Sequence, residues 1–203
     1  MLVYLFFGIT YALAAAIQPG PFQTFIISKT LENGWKKTLP AALAPVLSDG
    51  PIIVLVLFIL SQIPPELIRF LQISGGLLLL YLAYSSFKSF LNFEKLNKQT
   101  ENRTDSTLLK AVLVNLLNPA PYLGWSLIMG PMFIKGYHEN AANGIALIAG
   151  FYVTIVFAQM GIILLFGLAR NLGPKVTYII LGIASIGLAG FGFYLLWQGI
   201  FIS

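Results

Sequence analysis

LVYLFFGITYALAAAIQPGPFQTFII, residues 2–27, decides the fold. It carries no charged side chain, and it has the roughly 20 apolar residues that a helix needs to cross about 30 Å of hydrocarbon. Lipid offers no partner to backbone N–H and C=O groups, so a segment that spans it is helical. Within this run stands Gln18-Pro19-Gly20-Pro21. Each proline withholds a donor and crowds the carbonyl four residues earlier. The segment is therefore predicted to be one transmembrane helix broken near mid-membrane.

Further apolar blocks lie at 52–60, 77–83, 108–117, 145–166 and 178–197. The 203 residues are 58% hydrophobic and only 9% charged, against about 25% charged in a soluble domain. Such a chain cannot solvate a globular surface. The expected fold is an all-α integral membrane protein, a single transmembrane domain over 1–203 with spans at 2–27, 38–62, 66–90, 108–134, 142–168 and 175–201. The connections at 29–37, 61–66, 92–107, 135–140 and 170–174 read as loops. The longest polar stretch, 92–107, reads as a flexible linker. The first block lacks a basic leader region and a cleavage site, so it is expected to be a mature span.

The net charge of +5 does not indicate nucleic acid, because the basic residues are spread over the connections. Lys29, Lys36, Lys37, Lys88, Lys95, Lys98, Arg103, Lys110, Arg170 and Lys175 fall in or beside the odd connections. Arg69 and Lys135 fall beside the even ones. The positive-inside rule places the odd connections in the cytoplasm and both termini outside it.

The two halves share an order of features. Asn118-Pro119-Ala120-Pro121 interrupts the fourth span as Gln18-Pro19-Gly20-Pro21 interrupts the first. Asn33-Gly34 precedes the second span and Asn143-Gly144 the fifth. Asp49 and Gln159 follow at equal distances, and Tyr81-Leu82-x-Tyr84 parallels Tyr194-Leu195-x-Trp197. Six transmembrane helices are thus expected as two three-helix repeats, 1–91 and 108–203, joined by 92–107. An odd number of spans per repeat inverts the second repeat in the membrane. Inverted repeats with broken helices in matching positions are a plan of secondary transporters, with the site at the breaks.

Candidate site residues follow from that plan. Backbone groups freed at Pro19, Gly20 and Pro21, and at Pro119 and Pro121, need protein or a watery cavity to receive them. The intramembrane amides Gln18, Asn115, Asn118 and Gln159 can hold a polar substrate or bridge helices. Asn115 shares a helical face with Asn118. Asp49 is an acid deep in the second span, where an ionised carboxylate costs about 2.5–3.5 kcal/mol or more. A change of protonation there during transport, or pairing with a substrate ammonium, is the expected role. Ser48-Asp49-Gly50-Pro51 also reads as a helix restart with Asp49 as its cap. Tyr122, Trp125 and Tyr152 read as packing or lipid contact in preference to cavity lining. Gly182, Gly187, Gly190 and Gly192 of the sixth span read as close helix packing and a homodimer face. His138 alone makes no metal site. No catalytic residues, cofactor or metal ligands are expected, because no triad, phosphate loop or metal cluster is visible.

Pro19-Gly20-Pro21, Gly34, Asp49-Gly50 and Asn115-Leu116-Leu117-Asn118-Pro119, in that order in a chain of this length, resemble the lysine exporter family of amino-acid efflux proteins. The resemblance covers nearly the whole chain. It implies proton-driven export of amino acids or similar small polar solutes across a prokaryotic inner membrane. The family's functional positions correspond to Pro19, Gly20, Pro21, Asp49, Asn118 and Pro119. Many members carry Lys directly after the fourth-span Asn-Pro, where this chain has Ala120; if that Lys takes part in selecting substrate or charge, the resemblance implies a substrate here other than lysine or homoserine.

Other readings fit less well. A metal-cation transporter would have one His, no Cys and one buried acid to work with. A thiol electron carrier needs cysteine, and there is none. An intramembrane enzyme needs a nucleophile paired with a base, and adjacent Ser48 and Asp49 point apart on a helix. A non-transporting scaffold has no need of two mid-membrane breaks in register with a buried acid.

Overall fold

The computed structural model describes residues 1–59, 65–91 and 107–201, and every element among them is helical. In chain order these are α1 (Leu2–Ile17), α2 (Pro21–Asn33), α3 (Trp35–Thr38), a 3₁₀ turn (Leu39–Leu43), α4 (Ala44–Ile59), α5 (Pro65–Leu91), α6 (Thr107–Leu116), α7 (Pro119–Gly124), a π turn (Trp125–Met129), α8 (Gly130–Glu139), α9 (Ala141–Arg170) and α10 (Pro174–Phe201). Four stretches are long and apolar enough to cross a membrane: Trp35–Val56, Arg69–Lys88, Ala141–Arg170 and Lys175–Phe201. Two bent pairs raise the number to as many as 6 if each pair is one span. The connections expected at 61–64 and 92–106 lie outside the described residues.

The breaks fall where the prolines require them. Gln18 leaves the helix at φ −59, ψ 120, the extended backbone that a following proline imposes. Gly20 is extended, and α2 opens on Pro21, at a position where a helix has no use for the missing N–H. The fourth span repeats the device. Asn118 is extended at φ −87, ψ 124, its side chain accepts from Ala120 N–H, and α7 opens on Pro119. The helices meet at 64° in the first break and 54° in the second.

Three local expectations are corrected. Residues 29–37 are almost wholly helix rather than loop, with α2 and α3 separated only by Gly34 at φ 82, a backbone that glycine adopts without steric cost. Lys29 is 2% exposed and ion-pairs with Glu32 one helical turn on. Neutralised in this way, a polar stretch can stay helical and buried. Residues 135–139 likewise continue α8, and Asn140 caps α9 by accepting from Ala142 N–H. No helix restarts at 48–51, because α4 runs unbroken through Pro51. One proline removes a single hydrogen bond, a loss that membrane helices tolerate. Asp49 is then free to face another helix instead of capping its own.

Small residues set the packing. A Cβ on Gly8 of α1 would strike the Leu147 carbonyl oxygen and lie 2.9 Å from Phe151 N on α9. On Gly150 of α9 it would lie 2.6 Å from the Leu5 carbonyl oxygen. Gly76 of α5 and Gly192 of α10 approach each other in the same manner. Gly182 and Gly187 face Phe90 and Thr24 of the same chain, whereas Gly190 meets nothing within 4 Å. Because backbone atoms cannot yield as a side chain can, Gly8→Val is expected to lower stability by about 1–3 kcal/mol. Thermal unfolding in detergent would register it, and an unchanged melting temperature would refute the close α1–α9 contact.

Candidate functional site

A cavity of about 540 Å³ lies between the two broken helices, α4, α9 and α10. Gln18, Pro19, Gly20, Pro21, Asp49, Asn115, Asn118, Pro119, Pro121 and Gln159 all line it. The structure thus brings every sequence-predicted site residue to one place.

The breaks supply polar groups and partly satisfy them. Pro19 has no N–H to offer Ala15, and Gln23 Nε2 donates to that carbonyl instead at 3.3 Å. In the fourth span Ala120 N–H turns to Asn118 Oδ1 at 3.1 Å and leaves the Leu116 carbonyl free. Tyr122 Oη donates to it at 2.9 Å. The first turn of α2, by contrast, has no side-chain cap, and Gly20, Pro21, Phe22 and Gln23 line the cavity at a helix end that favours negative charge.

Asp49 is 3% exposed. Asn115 Nδ2 donates to its Oδ1 at 3.1 Å, and Trp125 Nε1 to its Oδ2 at 3.3 Å. Tyr152 stacks on Trp125, the ring centroids 6.4 Å apart. Asn115 Nδ2 reaches Ser48 Oγ at 2.6 Å as well, and Ser48 in turn donates to the Ala44 carbonyl at 2.8 Å. All these donors are neutral. No Lys, Arg or His lines the cavity among the described residues. The carboxylate is therefore held by dipoles and faces no countercharge, an arrangement that strongly favours the arrival of a cation or a proton.

Gln159 is 1% exposed, and its Oε1 has no hydrogen-bond partner. A buried amide oxygen left unpaired costs about 1–3 kcal/mol, and Gln159 is one of the residues that line the cavity.

Some lining residues escaped the sequence reading. Trp125, expected to pack, lines the cavity and donates to Asp49, whereas Tyr122 and Tyr152 do not line it. Trp125 opens the π turn that precedes Pro131. A wider turn of this kind relieves a proline that cannot donate in α-helical register, and such turns often mark functional positions. Tyr11, Gln23, Tyr194 and Gln198 also line the cavity. Gln198 donates to Tyr194 Oη at 2.6 Å and accepts from Gln72 Nε2 at 3.1 Å. Intramembrane amides were the available signal for Gln23, Gln72 and Gln198. His138 is exposed and lines nothing in the cavity.

Residues 13–199 match the family model described as "LysE type translocator". The chain is similar to a curated protein of Bacillus subtilis (strain 168) described as "Putative amino acid efflux protein YcgF". The two are 26% identical over 199 residues, 95% of this chain and 94% of the relative. No solved structure matches the chain.

Proposed function

Because the chain belongs to the LysE type translocator family, a family of multi-pass membrane transporters and not of enzymes, we propose that it exports amino acids or similar small polar solutes in exchange for protons. One observation carries the proposal: both broken helices and the uncompensated Asp49 meet in a single cavity. The relative's description as an amino acid efflux protein supports the choice of solute.

The proposed mechanism is alternating access between two inverted repeats, 1–91 and 108–203. The packing favours it. The first span lies on α9, the second on the fourth, and the third on the sixth, a set of pairs that is unchanged when the halves are exchanged. A substrate ammonium and a proton compete for the Asp49 carboxylate. Cytoplasmic substrate displaces the proton, is carried out, and is displaced by a proton from outside. Gln18, Asn118, Gln159 and the backbone freed at the prolines hold the rest of the solute. The membrane is the prokaryotic inner membrane, with both termini outside the cytoplasm.

Vesicles reconstituted with the protein and loaded with labelled amino acids test the proposal. Efflux should quicken when the outside is acidified and return to baseline when a protonophore is added. Efflux indifferent to the gradient would remove the coupling, and no efflux of any amino acid would remove the proposal.

A further inference from the structure

The charge inventory of the cavity is lopsided in a way that selects among amino acids. It holds one carboxylate, Asp49, and no cationic side chain among the described residues. The ion pair Lys29–Glu32 involves residues that do not line the cavity. Asp49 can balance one ammonium. Gln159, a neutral amide whose Oε1 is unpaired, lines the same cavity. A substrate carboxylate has only dipoles to meet it, and the uncapped first turn of α2 beside Gly20 supplies them. Elsewhere the wall includes Phe22, Leu123, Phe151, Ile155 and Phe191, which fit an apolar side chain and solvate no charge.

The geometry points to a zwitterion with an uncharged, largely apolar side chain as the transported class, with Gln159 as a specificity-determining residue that keeps the site at a single negative charge. This inference rests on the amino-acid export proposed above and narrows it. A dibasic amino acid would bring a second ammonium with no anion to receive it. An acidic one would bring a second carboxylate into a cavity already negative. Either leaves a buried charge unpaired, which is strongly destabilising.

The test is a panel of labelled leucine, phenylalanine, lysine and glutamate, each loaded alone into reconstituted vesicles under the same pH gradient. Leucine and phenylalanine should leave at least about 10-fold faster than lysine or glutamate, the discrimination expected for one unpaired buried charge. Lysine or glutamate leaving as fast as leucine would overturn the inference while leaving amino-acid export intact. If none of the four moved, export itself would fall, and this inference with it. Gln159→Glu supplies the missing anion and should raise the lysine-to-leucine rate ratio by about 10-fold. Its folding is checked by melting temperature in detergent. A folded Gln159→Glu protein with the wild-type ratio would overturn the role of Gln159. If the variant does not fold, the wild-type panel still decides the substrate class.

Discussion

Asp49→Asn is expected to reduce gradient-driven efflux by at least about 100-fold, because no other carboxylate among the described residues lines the cavity to carry the proton or pair with an ammonium. The substitution changes shape very little. Asparagine keeps one oxygen for Asn115 Nδ2, and Trp125 still packs where it does now. The fold also gains from the change, since a buried charge without a countercharge is a cost that the neutral amide does not carry. The melting temperature should therefore equal or exceed that of the wild type while transport collapses. This opposition separates a functional role from a structural one. Full gradient-driven efflux by the Asp49→Asn protein would sink the coupling mechanism.

Lys29→Met is expected to act in the opposite sense, costing about 3–5 kcal/mol of stability because it strands Glu32 as a buried, uncompensated charge. The pair sits in a polar knot at the end of α2. Ser28 Oγ donates to Glu32 at 3.0 Å and meets Ser86 Oγ of α5 at 2.7 Å, and Ser185 Oγ of α10 donates to Ser86 at 2.9 Å. Thr38 Oγ1 donates to the Lys29 carbonyl at 3.1 Å. Losing the ammonium should loosen the point where three helices are joined. Replacing both partners, as in Lys29→Met with Glu32→Leu, should recover most of the loss, since two apolar side chains leave no charge behind. Denaturant titration in detergent would measure both. A loss below about 1 kcal/mol for the single change is the value for a solvated surface pair, and it would mean that water reaches this one.

Much of the architecture was legible because its causes are local. A proline in a span breaks the helix wherever the rest of the chain lies, so Pro19–Pro21 and Pro119–Pro121 announced both bends. The site residues were legible for a related reason. A carboxylate or amide in an apolar run is costly enough that the fold must gather such groups, and Asp49, Asn115 and Gln159 do meet in one cavity. Lys29 shows where that logic fails. By sequence it is a loop charge marking topology, yet it is buried and neutralised. The exposed Lys36 and Lys37 remain in that connection to mark orientation. Nothing in residues 29–37 reveals whether Lys29 and Glu32 meet water or Ser28 and its helix partners.

What the sequence by itself determined, then, is a membrane chain of helices, two of them broken, with one acid deep among them and the motifs of a translocator family. Backbone hydrogen bonding without water and the missing N–H of proline act on each segment alone, so no neighbouring helix needs to be placed to foresee their effect. Only the tertiary structure decided what Asp49 and Gln159 face. Asn115 and Trp125 lie 66 and 76 residues away in the chain, and whether they reach the carboxylate depends on how α4 packs against the broken fourth span. The packing of these helices against each other left Asp49 with neutral donors and Gln159 with none.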